Sequence, residues 1–151
     1  MNPELLTFKQ REKYGELFEK KAVIPLEKIF NAKFINNCKD YRYDLLFRTL
    51  DKREIKFEIK RDCKYNATGN IFVQFSTCDD IDNGISTTEA DFYCFFLSDK
   101  AFSLIETNEL KKAIDELKPL IKTTAKEKGY IVHYETLKNN YNVREFNIND
   151  F

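Results

Sequence analysis

Asp44, in the run YRYDLLF, and Glu58 and Lys60, in the run KFEIKRD, are the residues whose types and spacing point most directly to chemistry. The residues DKR between the two runs favour a tight turn, so the runs form an antiparallel hairpin. With its register centred on Leu50 to Lys52, Asp44 and Glu58 become cross-strand neighbours. Side chains alternate along a strand, which puts Glu58 and Lys60 on one face and Phe57 and Ile59 on the other. Adjacent carboxylates repel, and solvent, protonation of one of them, or a cation must relieve the repulsion. A hard divalent ion is the specific answer, because Mg²⁺ binds carboxylate oxygens and keeps several of its own waters. Mn²⁺ is the natural substitute. The Lys60 ammonium then lies within reach of a metal-bound water or a substrate phosphate, and the Ile59 carbonyl offers one more oxygen.

The elements that must position these groups are legible in outline. A first helix runs from an Asn2-Pro3 start to about Lys21, with Tyr14, Leu17, Phe18 and Ala22 at helical spacing. Pro25 ends it, or kinks it and lets it continue through IPLEKIF. Strands follow over KFINNC, from Tyr43 to Leu50, over EIKFEIKR and over IFVQFS, with a turn at YNATGN. STTEA reads as one helical turn with a hydroxyl cap. The continuously apolar DFYCFFL reads as a buried central strand. TNELKKAIDELKPLIKTTAKEKG reads as a helix capped at Thr107 or Asn108, bent or divided by Pro119 and stopped by Gly129. YIVHYETL and VREFNI read as short strands. The sum is an α/β chain with one central mixed sheet and flanking helices, organised as a single domain over residues 1–151.

Bulk composition narrows the classes. The chain has 151 residues, 42% of them hydrophobic, enough to bury a core without covalent staples. Its formal net charge is zero, so it lacks the overall basic balance of many nucleic-acid binders. Four cysteines without a C-x-x-C pair, and a single histidine, His133, give no zinc-ligand spacing. The charged N-terminal run and the lack of a long apolar stretch lead to the expectation of a soluble, intracellular protein without a membrane span.

The order Asp44, then Glu58-Ile59-Lys60, resembles the PD-(D/E)XK nuclease superfamily. The first helix strengthens the likeness: YGELFEKKAV offers Gly15 and then Glu19, with Glu16 as the alternative, as in archaeal Holliday-junction resolvases. After the Glu-x-Lys strand, GNIFVQF supplies Gln74. The segment from TGNIFVQF to ISTTEADFYCFF looks like phage- and virus-encoded members, in which Glu is expected where Gln74 stands. Tyr43 replaces the proline before the aspartate. The resemblance spans roughly Gly15 to Leu97.

It implies a restriction-endonuclease-like core and a metal-dependent DNA endonuclease. Asp44 and Glu58 would hold Mg²⁺ with the Ile59 carbonyl and Glu19, Lys60 would act on the attacking water or the transition state, and Gln74 would bond the nucleophile or the phosphate. It further implies DNA as partner and a homodimer, because cutting both strands takes two sites.

Two basic groups flank the site in sequence: Lys9, Arg11, Lys13, Lys20 and Lys21, then Lys52, Arg53, Lys56, Arg61 and Lys64. Of these Lys20, Arg61 and Lys64 are candidate phosphate contacts, joined by the hydroxyls of Ser86, Thr87 and Thr88. Rival readings stay open. Glu58 and Lys60 on one strand face also suit a solvated surface, and the same fold also suits a catalytically inert DNA- or protein-binding domain. The cysteines read as small apolar fillers.

Overall fold

The computed structural model describes residues 7–38 and 42–151. Its first helix, α1 (Phe8–Phe30), opens at Thr7 with a capping box: the Thr7 side chain accepts from the Gln10 amide, and the Gln10 side chain accepts from the Thr7 amide. The start expected at Asn2-Pro3 lies outside the described residues. Pro25 does not end the helix, which continues to a left-handed cap at Asn31 (φ 49°). Pro25 is buried between Ala22 and Leu26, both fully buried, so the packing of this face outweighs the lost backbone bond.

Among the described residues the main sheet has six strands, in the order β1 (Ala32–Asn37), β2 (Leu45–Thr49), β3 (Glu54–Arg61), β5 (Phe92–Phe96), β6 (Ala101–Glu106) and β9 (Arg144–Asn147). β1, β2 and β3 form an antiparallel meander. β5 runs parallel to β3, and β6 and β9 add antiparallel strands. The β2–β3 hairpin closes through Thr49 N–H to the Arg53 carbonyl at 2.9 Å, with Lys52 at φ 66°. Its register pairs Leu45 with Phe57 and ends there; the Asp44 amide, one residue before β2, also donates to the Phe57 carbonyl, so Asp44 lies beside Phe57 and not in a ladder pair with Glu58.

The two faces of this sheet carry different cores. Phe57, Ile59, Phe96 and Phe102 pack beneath Phe18, Ala22 and Leu26 of α1. On the other face Tyr93, Phe95 and Ile105 meet Ile71 and Val73 of β4 (Asn70–Thr77) and Val132 of β8 (Glu127–His133). β4, β8 and β7 (Leu120–Thr123) form a second, three-stranded antiparallel sheet in the order β4-β8-β7. The chain is therefore mixed α/β, with a six-stranded mixed sheet and flanking helices.

Four local expectations need correction. The helix expected through Gly129 stops much earlier: α3 (Thr107–Leu117) ends at Lys118 in the left-handed region, and the sequence beyond Pro119 forms the β7–β8 hairpin. Pro119 has no amide to continue the helix, and β-branched Ile121, Thr123 and Thr124 favour extended chain. Gly129 does not stop a helix; a Cβ there would come within 2.3 Å of the Phe72 ring, so glycine admits that ring. YIVHYETL is divided between β8 and a helix, α4 (Tyr134–Asn140), and the turn YNATGN contains a one-turn helix, α2 (Tyr65–Thr68). The helical turn expected at STTEA is a 3-10 turn over Gly84–Ser86, without a side-chain cap.

Candidate active site

Asp44 is the last residue before β2, and β3 holds it at two points. Its amide donates to the Phe57 carbonyl at 2.9 Å, and its Oδ2 accepts the Ile59 amide at 2.7 Å. The carboxylate is thereby fixed against the strand that carries Glu58 and Lys60. Lys60 Nζ lies 3.2 Å from Glu58 Oε1, with the Glu58 side chain 14% exposed and that of Lys60 43% exposed. The Lys60 ammonium thus balances the less exposed acid while still reaching solvent.

Burial first, and neighbouring acids second, work against negative charge at this site. Burial raises the Asp44 carboxyl, and with Glu58 and Glu19 adding to the effect it is pushed up to about 7, against the opposing pull of Lys60 and the Ile59 amide. Burial works against the charge of Lys60, yet Glu58 and Asp44 together keep its pKa above the ordinary lysine value. The three groups proposed from sequence are therefore brought together.

Glu19 joins them from α1. It is half-buried, and burial raises its carboxyl, followed by Glu16 and Glu58, while Lys60 and a hydrogen bond with Asn37 oppose the rise. Glu16 is exposed, one turn earlier on the same helix. Of the two alternatives on α1, Glu19 is the half-buried one, and it feels Glu58 and Lys60.

The other candidates sit less directly. Gln74 lies in β4 opposite Gly129, and alternation puts it on the face away from the buried Ile71 and Val73. Among the described residues no hydrogen bond or ion pair joins Gln74 to Asp44, Glu58 or Lys60. Arg61 turns inward: its Nη1 donates to the Asp62 carbonyl at 2.7 Å, and the guanidinium stands 5.7 Å from the Phe18 ring centre. Lys20, Lys64, Ser86 and Thr87 are exposed. The Thr88 hydroxyl donates to the Arg42 carbonyl at 3.2 Å, tying its loop to the segment that delivers Asp44.

Two residues at the site carry no signal in the sequence. Tyr93 is 2% exposed and pairs with Glu58 across β3 and β5. Burial, then Glu58 and Asp44, raise its hydroxyl, and Thr88 bonds to it. Its alternation with Cys94 inside an apolar strand gave no polar pattern to follow. Glu127, at the start of β8, adds a further carboxylate to the surroundings of Lys60. It was hidden because its segment has the composition of a helix.

Three surface hollows share lining residues, from Glu19 on α1 to Glu127 on β8. A hollow of about 590 Å³ is lined by Glu19, Glu16, Asn37, Arg11 and Glu12. Arg11 and Glu12 also line the next, of about 610 Å³, against the hairpin tip from Thr124 to Glu127. Glu127 in turn borders a third, of about 190 Å³, beside Phe72.

The donor set suits a hard cation. Asp44 and Glu58 offer carboxylate oxygens, a divalent ion would offset the burial and the neighbouring acids that raise Asp44, and neither thiol nor imidazole is in the set. Among the described residues no three acidic, histidine or cysteine side chains form a ready-made cage. Two carboxylates with retained waters is the arrangement Mg²⁺ accepts. Among the described residues no helix is long and apolar enough to cross a membrane. No protein-family model matches the chain, and no curated protein or solved structure matches it either.

Proposed function

We propose that this protein is a metal-dependent DNA endonuclease of the PD-(D/E)XK type, hydrolysing phosphodiester bonds with Asp44, Glu58 and Lys60. The observation that carries the reading is the 2.7 Å bond from the Ile59 amide to Asp44 Oδ2, which locks one acid beside the Glu58-x-Lys60 pair. The three-stranded meander followed by a strand parallel to its third member, with α1 packed beneath, supports a restriction-endonuclease-like core.

Asp44 and Glu58 would hold Mg²⁺ or Mn²⁺, with Glu19 and the Ile59 carbonyl as further oxygens. When bound, the ion neutralises a phosphate oxygen and lowers the pKa of a coordinated water. Lys60 orients the attacking water and stabilises negative charge on the pentavalent phosphorus. Exposed Lys20 and Lys64, with Ser86 and Thr87, take the DNA backbone, and two copies cut the two strands.

A second reading, an inert DNA- or protein-binding domain of the same fold, draws on the 3.2 Å Lys60–Glu58 pair, which partly balances the acids without a metal. The test is a cleavage panel of linear duplex, supercoiled plasmid, single strand and four-way junction with Mg²⁺, Mn²⁺ or EDTA. Metal-dependent cutting of at least one substrate is expected. Binding without cutting under every condition supports the inert reading.

A further inference from the structure

Glu127, which acts on Lys60, also borders a hollow of about 190 Å³ that the proposed reaction does not use. Its floor is the outer face of the second sheet, where Phe72 pairs with Ile131. The Phe72 ring extends over Gly129, where any Cβ would lie 2.3 Å from its Cζ. Glycine thus lets an aromatic ring lie down across the sheet while staying half-exposed. Lys64, Lys122, Thr68 and Asn70 stand around this apolar floor.

The acids at the hollow have separate assignments. Asp62 accepts the Phe72 amide at 2.7 Å and the Lys64 amide at 3.2 Å, so it serves to anchor β4 to the end of β3. Glu127 borders the hollow and also contributes to the field at Lys60.

We infer that this hollow receives one unpaired nucleobase of the DNA substrate, next to the scissile phosphate. The hollow is smaller than the ~300 Å³ at which sites for drug-sized ligands begin, a size suited to one planar ring system. An exposed aromatic ring with lysines at its rim is the combination that stacks a base and holds the adjoining phosphates. Glu127 supplies an acceptor for the exocyclic amine of an adenine, cytosine or guanine. A paired base inside a duplex is stacked and cannot enter, so the hollow selects DNA with a flap, bulge or single-stranded end. This deepens the nuclease reading by naming its substrate class, and it rests on that reading for the position of the scissile phosphate.

The test is equilibrium binding of the full chain in EDTA, which needs no cleavage. Labelled duplexes of equal length, one perfect and one with a single bulged nucleotide, are compared by anisotropy. The bulged duplex is expected to bind roughly tenfold more tightly, as loss or gain of one base stack implies. With 2-aminopurine as the bulged base, emission is expected to change on binding. F72L keeps an apolar side chain over Gly129 but removes the stack, and should abolish both the preference and the emission change. K122E, on an exposed edge strand, should weaken binding of both duplexes. Equal affinity for the two duplexes, or an emission change that survives F72L, overturns the inference. If the bulge preference holds while wild type cuts nothing in Mg²⁺ or Mn²⁺, the base pocket stands and the nuclease reading falls. Metal-dependent cutting without any bulge preference does the opposite: the nuclease reading stands and the base pocket falls.

Discussion

The Asp44 carboxylate is held by the Ile59 amide, 15 residues later in the chain, at 2.7 Å. Because the donor is backbone, the position of the acid is set by the β2–β3 register and not by neighbouring side chains. Ile59 itself points into the core under α1, so the same residue anchors the strand on one face and the acid at its amide. In the proposed nuclease this arrangement would couple catalysis to stability, because acids gathered without a bound cation repel one another.

That coupling has a sign. The folded Asp44 carboxyl sits at about 7, above its ordinary value of 3.8, chiefly because it is buried and then because of Glu58. A raised carboxyl contributes stability that is complete below about pH 4 and is lost as pH rises through about 7. Asp44→Asn removes this dependence and still accepts the Ile59 amide. In EDTA, the variant should gain on wild type between about pH 5 and about pH 8, by on the order of 2 kcal/mol. Urea melts at the two pH values check this, and a gap that does not widen with pH contradicts it. The same variant should lose metal binding and cleavage.

Metal binding should release protons. Near neutral pH part of the Asp44 population carries a proton that must leave before the carboxylate binds a cation. Titration of Mg²⁺ or Mn²⁺ in two buffers of different ionisation enthalpy measures the release directly. Release near pH 7 should vanish well above it, and the apparent affinity should fall as pH drops below about 7. Asp44→Asn should show neither effect.

Lys60→Ala should separate chemistry from folding. The Lys60 side chain is 43% exposed, so solvent screens its pairing with Glu58 and the loss of stability should stay near ~1 kcal/mol or less. Cleavage should fall by roughly 10² to 10³, the scale for removing one donor aimed at transition-state charge. Lys60→Arg should not restore the rate, because a planar guanidinium does not reproduce a compact ammonium beside Glu58. Single-turnover rates on a substrate that wild type cuts, read beside thermal melts, check both halves.

The legible part of this site was the part written in local alternation. Glu58 and Lys60 announced themselves between Phe57 and Ile59, and the turn at Asp51 brought Asp44 against the same stretch of β3. The missed residues depend on pairings between distant segments. Tyr93 meets Glu58 only because β5 lies parallel to β3, a connection that alternation within either strand cannot reveal. Glu127 approaches Lys60 only because the chain after Pro119 returns as a hairpin, and its lysine-rich composition resembled an exposed helix. Arg61 looked like a phosphate contact, yet its position at the end of β3 turns it toward the Asp62 and Phe96 carbonyls.

The last discrimination lies on α1, where Glu16 and Glu19 are equivalent in sequence but not in space. Glu19 is half-buried and responds to Glu58 and Lys60, whereas Glu16 is exposed. The raised carboxyl of Glu19, due first to burial and then to Glu16 and Glu58, means that a nearby cation would favour its charged form. Glu19→Gln should therefore weaken the Mg²⁺ dependence of cleavage by about tenfold, the lower end for loss of a group that supports a metal site. Glu16→Gln should leave that dependence within about twofold, since an exposed side chain contributes little across solvent. Metal titrations of the cleavage rate compare the two variants. Equal effects would place both acids on the periphery and leave the metal to Asp44, Glu58 and the Ile59 carbonyl.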